Sequence, residues 1–221
     1  MTRVFLSASF PSGKRGDAVE PYRPADIAAA ASSAIEAVLR TGCVLAFGGH
    51  PTVSPIVLHV AGLLGAGQQV EIWQSDWFRD SITDEVHRLV EHERARMIPT
   101  PAAEDLAGSL LVLREAMLEA PVDAAFFVGG MEGIRDEHDL LVARHPDAPV
   151  FVFTTPGGMS ARLAADAPPL DATAADSRDV PADGARPEPP VRRLTGRAYG
   201  SSALAALSSI GVHVQDRRGE L

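Results

Sequence analysis

The stretch Ala124-Ala125-Phe126-Phe127-Val128-Gly129-Gly130-Met131-Glu132-Gly133-Ile134-Arg135-Asp136-Glu137 passes from an unbroken apolar run, through paired glycines, into a charged segment. An apolar run of this length stopped by glycine reads as a strand buried on both faces of a parallel sheet. Residues 133–143 then carry helical spacing. A strand enters a glycine turn, and a helix leaves it with a carboxylate, Glu137, in its first turns. Glu137 is expected to project toward whatever the turn cradles, and Glu132, in the turn itself, to do the same. The plainer alternative is that Glu132, Asp136 and Glu137 only complement the positive end of the helix dipole.

The same unit recurs on either side. Residues 4–7, 44–47, 70–73 and 150–153 read as further short strands, and Met97-Ile98 as a shorter one before Pro99. Helical patterns lie between them at 24–40, 53–64, 82–94 and 104–118. Pro24 opens the first with Asp26 in its first turn, and Pro55 suits the first turn of the second, where a missing N–H does no harm. Strands and helices in alternation predict an α/β, Rossmann-like fold: a parallel sheet with helices on both faces. The pattern breaks near Asp166. Residues 166–193 are rich in Pro, Ala and Asp and read as a flexible loop or linker. Residues 201–210 read as a last helix packing back on the domain, and 215–221 as a charged, frayed tail. The expected organisation is a ligand-binding core over 1–165, a loop over 166–193, and a C-terminal helix and tail over 194–221.

Composition narrows the function classes. The chain has 221 residues, 46% hydrophobic, enough for one substantial core. A formal net charge of -9 argues against a general nucleic-acid binder, which needs clustered Lys and Arg on phosphates. Lys14 is the only lysine. Cys43 stands alone, which excludes a disulfide or a cysteine zinc site within one chain. His87 and His92 lie five apart, poor spacing for a shared ligand, and no metal site or cofactor is expected. No apolar stretch approaches the ~20 residues that span a bilayer, and the first residues turn polar too soon for a signal peptide. The cytoplasm is the default compartment.

Three glycine pairs follow three expected strands: Gly48-Gly49, Gly129-Gly130 and Gly157-Gly158. Ligands of parallel α/β sheets sit beyond the carboxyl ends of the strands. Glycine there lets backbone N–H groups approach an anion, and the next helix adds a partial positive charge. Tight-turn chemistry is the competing explanation. No Gly-Lys-Ser/Thr follows any pair, and G-x-G-x-x-G is missing, so neither the Walker nor the dinucleotide pattern is met. Arg114 lies on a mostly apolar helix and needs a partner: a phosphate, the Glu137 carboxylate, or water at an edge. Ser7, Ser9, Lys14 and Arg15 follow the first strand and are phosphate candidates. His50 follows the second glycine pair, and Thr155 precedes the third. Gln74 and Ser75 end the third strand, where Ser75 could instead cap the next helix, in competition with Asp76. Trp73 and Trp77 suit core packing better than base stacking.

Taken together, Leu113-Arg114-Glu115-Ala116-Met117, the strand 124–128 and Gly129-Gly130-x-x-Gly133-x-x-x-Glu137 resemble the SLOG superfamily. Phe5-Leu6-Ser7-Ala8-Ser9-Phe10-Pro11 and Phe47-Gly48-Gly49-His50-Pro51 extend the resemblance over roughly residues 2–164. It is strongest toward the bacterial branch similar to TRPM-type ligand sensors, and more distant toward the lonely-guy-type phosphoribohydrolases. The resemblance implies a nucleotide-like ligand held by Ser7, Ser9, Arg15, Gly48, Gly49, His50, Gln74, Ser75, Gly129, Gly130, Met131, Glu132, Gly133, Thr155, Gly157 and Gly158. It places Arg114 and Glu137 where the enzymes keep their catalytic Arg and Glu. Glu115 stands where those enzymes have lysine, Val128 where they have proline and Ile134 where they have threonine, and the turn is one residue longer. Two functions follow as expectations. One is hydrolysis of an N-glycosidic bond in a nucleotide. The other is a non-catalytic sensor of a nucleotide-derived signal acting through a partner protein. A scaffold that lost its ligand is the third reading, and a homodimer is expected by analogy with the enzymes.

Overall fold

The computed structural model describes residues 1–170 and 191–214. The elements in chain order are β1 (Arg3–Ser9), α1 (Gly13–Asp17), α2 (Pro24–Arg40), β2 (Val44–Gly48), α3 (Ser54–Leu64), β3 (Val70–Ser75), α4 (Asp84–Glu91), β4 (Arg96–Thr100), α5 (Leu106–Met117), β5 (Ala124–Gly129), α6 (Glu132–Arg144), β6 (Val150–Phe153), α7 (Gly158–Leu163), β7 (Val191–Leu194) and α8 (Tyr199–Ser208). The seven strands form one sheet in the order β4-β3-β2-β1-β5-β6-β7. Every neighbouring pair is parallel. The expected α/β, Rossmann-like architecture is the observed one.

Alternation along the strands divides the core in two. Val4, Leu6, Leu45, Phe47, Ile72, Phe126 and Phe153 face one side, where α2, α3 and α8 bury Ile27, Ile35, Val57, Ala203 and Leu207 on them. Phe5, Ala125, Phe127, Val150 and Val152 face the other, under Met117 of α5, Leu141 of α6 and Met159 of α7. Phe126 of β5 joins the two aromatic rings of β6, 5.5 Å from Phe151 and 5.9 Å from Phe153. Phe153 in turn meets Tyr199 edge-on at 5.8 Å, which seats α8.

Two local differences from the sequence reading have physical causes. Residues 191–193, assigned to the loop, form β7 at the sheet edge. An edge strand is covered less completely, so Val191-Arg192-Arg193-Leu194 carries no apolar run to announce it. Residues 13–17 form a helix too short to show periodicity. The rest of the expected loop, 171–190, and the tail, 215–221, lie outside the described residues.

Candidate functional site

The strand order reverses at β1: the chain goes from β1 to β2 on one side and later to β5 on the other. In open parallel sheets this switch point opens a crevice at the carboxyl ends of the strands. Ser7 and Ser9 end β1 there, beside Phe127 and Gly129 of β5. The Gly130 N–H donates to the Ser9 carbonyl at 2.8 Å, joining the two strand ends. Gly130 has φ +72°, a backbone state that disfavours any side chain, and Ile134 fills the space where its Cβ would stand.

Glu137 and Arg114 meet across the crevice. The Ser7 hydroxyl donates to Glu137 Oε2 at 2.5 Å, across 130 residues of sequence. Arg114 Nε lies 3.7 Å from Glu137 Oε1, and Arg114 Nη1 donates to Asp136 Oδ2 at 2.9 Å. Gly133 admits this arrangement, because a Cβ there would stand 2.9 Å from Arg114 Nη2. Arg114 Nε is buried and makes no hydrogen bond. Burial pushes the Glu137 carboxyl above its ordinary value of 4.5, and the neighbouring Asp136 charge adds to the rise. The Ser7 hydroxyl and Arg114 pull against it. A carboxyl raised by desolvation and aimed by a hydroxyl suits proton transfer.

The other expected residues divide. Met131, Glu132 and Gly133 form the N-terminal end of α6, with no side-chain cap. Gly48 ends β2 beside Trp73. Gly49 donates to the Trp73 carbonyl at 2.9 Å, and the Gln74 amide oxygen occupies the space where a Gly49 side chain would go. That oxygen is buried without a partner. The Ser75 hydroxyl accepts from the Trp77 N–H at 3.2 Å, the capping role. His50 is exposed, and Nδ1 meets the Thr52 hydroxyl at 2.9 Å. Arg15 is exposed on α1.

The third glycine pair has a different occupation from an anion cradle. Gly157 and Gly158 donate their N–H groups to Thr154 and Pro21 carbonyls at 3.1 Å each. A Cβ on Gly158 would stand 2.8 Å from the Gly129 carbonyl carbon, so this pair lets one loop backbone lie against another. The Thr155 carbonyl accepts from Arg23 at 2.7 Å. Asp136, which holds Arg114, is the partner that sequence reasoning treated only as dipole complement. Its spacing of 22 residues from Arg114 is no helical or strand period, so nothing linear announces the pair.

The model of the SLOG cluster3 family matches residues 22–181. The chain belongs to the SLOG cluster3 family. The match spans Gly48-Gly49, Arg114 and the Gly129–Glu137 segment, whereas Ser7 and Ser9 lie before it. Among solved structures, the SLOG chain is similar to TM1055, whose X-ray structure was a Northeast Structural Genomics Consortium target. The TM-score is 0.53 at 14% identity, over 76% of this chain and 82% of that one. At that identity the likeness concerns the fold alone. No curated protein matches this SLOG sequence. Among the described residues no helix is long and apolar enough to cross a membrane, and no group of His, Cys, Asp and Glu could hold a metal ion.

Proposed function

We propose that this SLOG protein binds a nucleotide or nucleotide-derived ligand at the switch-point crevice and hydrolyses its N-glycosidic bond, with Glu137 and Arg114 as catalytic residues. The observation that carries this reading is the Ser7–Glu137–Arg114 constellation, set beside glycine turns at the carboxyl end of a parallel sheet. In the reaction the bond from the anomeric carbon to the base nitrogen breaks, and its electron pair leaves with the base. The developing oxocarbenium is stabilised by the Glu137 carboxylate. Water adds its oxygen to the anomeric carbon and gives one proton to Glu137, which releases it to solvent, while the departing base nitrogen takes up one proton from solvent. The balance is one water consumed, one free base and one free sugar end formed. Arg114 holds the Glu137 and Asp136 carboxylates in register. Ser9, His50 and the α6 N-terminus bound the crevice as binding groups.

The second reading, a non-catalytic sensor working through a partner or as a homodimer, is favoured by Ile134. Its buried hydrocarbon stands where the resembling enzymes carry threonine. Incubation with nucleosides, nucleoside monophosphates, NAD and ADP-ribose separates the two. Free base released by wild type and not by Glu137→Gln supports hydrolysis. Intact ligand that co-elutes with the protein supports sensing. Absence of both base release and co-elution contradicts both readings.

A further inference from the structure

Glycines at the ends of these strands are mostly occupied by the fold itself. Gly129 and Gly130 have positive φ, and side chains there would strike Ile27 and Ile134; Gly49 makes room for Gln74. Gly48 is different. It has an ordinary φ, and a Cβ built on it would meet no atom within 4 Å. Its bare face is on the Glu137 side of the sheet. Ala46 pairs with Phe5, so two residues further along both strands Gly48 and Ser7 share that face, with Trp73 beside Gly48 on β3. Ser7 is the residue that holds Glu137. Open space therefore lies over the strand floor on the face where Ser7 holds Glu137, and neither backbone conformation nor packing demands that this floor be glycine.

The charges around this space are already balanced. Arg114 is engaged by Asp136 at 2.9 Å, and Arg135 faces Glu132 at 3.5 Å. With Glu137 counted, Arg114 and Arg135 meet three carboxylates, so this pair of guanidinium groups brings no net positive charge to the space. The α6 N-terminus adds only about half a positive charge. Ile134 presents hydrocarbon at the turn, and the Gly130 N–H is engaged by Ser9. A phosphomonoester brings roughly -1.5 to -2 charges at pH 7 and needs surplus donors.

We propose that the crevice takes an uncharged glycosyl ligand, a nucleoside without a 5'-phosphate, with its sugar seated on Gly48 beside Glu137, and that Asp136 occupies the face of Arg114 a phosphate would need. The inference rests on the reading that the crevice binds nucleotide-derived ligands, and it names their class. Gly48 is then the residue that sets the room for the sugar, and Asp136 the residue that turns phosphate away.

The test is a thermal-shift titration with adenosine, guanosine, cytidine and uridine beside their 5'-monophosphates. Wild type, Gly48→Val, Gly48→Ala and Asp136→Asn are compared. At least one nucleoside is expected to bind about tenfold or more tightly than its monophosphate. Gly48→Val keeps the ligand-free melting temperature and loses the nucleoside shift; Gly48→Ala, the milder variant, weakens it should the valine protein not fold. Asp136→Asn frees Arg114 and narrows or reverses the preference. Monophosphates that bind as tightly as nucleosides overturn this inference and leave the functional reading standing. Unchanged nucleoside binding in a folded Gly48→Val protein overturns the seat. No shift in either series overturns this inference, and the functional reading then stands or falls on NAD and ADP-ribose.

Discussion

Two clusters of charge lie on the same face of the sheet, one at each end of the strands, and they are built on different terms. At the amino end Arg3 is 7% exposed and Glu71 9%. Arg3 Nε donates to Glu71 at 2.9 Å, its Nη2 to the Met117 carbonyl at 3.0 Å, and its Nη1 to the Ala120 and Pro121 carbonyls at 3.4 Å. Arg96 binds the other Glu71 oxygen. Buried charge is tolerated there because the guanidinium is satisfied on every nitrogen and also closes the carboxyl end of α5. At the carboxyl end Glu137 has one hydroxyl donor, Arg114 Nε has no hydrogen bond, and burial holds the carboxyl above its ordinary range. The difference teaches where to look for chemistry: a fully partnered buried ion pair fastens elements together, while an under-partnered one keeps donors and a proton for a ligand.

The two clusters should respond differently to substitution. The largest expected effect is on catalysis. Glu137→Gln lowers base release about 10²–10⁴-fold, the range of positioned acid–base groups, without loss of the fold; steady-state assay and circular dichroism check it. Arg3→Ala acts on the other cluster and leaves the Glu71 carboxylate with Arg96 alone. It is expected to cost about 3–5 kcal/mol in urea unfolding, while residual folded protein keeps its KM. Equal loss of activity per folded molecule in Arg3→Ala would erase the distinction between the clusters.

Much of this was readable from the chain. The strand at 124–129 and its neighbours are buried on both faces, so their apolar runs stand out, and the β–α alternation follows. The Arg114 and Glu137 positions came from motif spacing. The rest depends on tertiary contact. Ser7 reaches Glu137 across 130 residues, and β7 hides in a stretch whose edge position tolerates Arg192 and Arg193. Glycine pairs looked alike in sequence, yet Gly157-Gly158 serves backbone packing against Gly129 and Pro21. A doublet states only that side chains are missing, not what takes their place.

Smaller effects follow from the Ser7 hydroxyl and from pH. A base must be ionised, so the acid limb of the rate profile lies above 4.5, the ordinary value for Glu137. Ser7→Ala removes a hydrogen bond that favours the carboxylate, moves that limb further up, and costs about 1 kcal/mol of stability. A limb that stays in place would show that Ser7 does not act on Glu137. The sign for stability is the opposite of a paired carboxylate's. With its folded value raised, Glu137 stabilises the protein below 4.5, and that contribution is lost as pH rises from there through the raised value. Glu137→Gln should therefore gain stability relative to wild type across that window and hold the gain at neutral pH, in paired melts from acid to neutral.

The most direct test of the central claim is the release of free base from a nucleoside by wild type and by Glu137→Gln, followed chromatographically at neutral pH on proteins of verified fold. Wild type is expected to release base, and the variant about 10²-fold less or lower still. Equal release by the two proteins would contradict it, and so would a wild type that leaves every nucleoside and nucleotide intact.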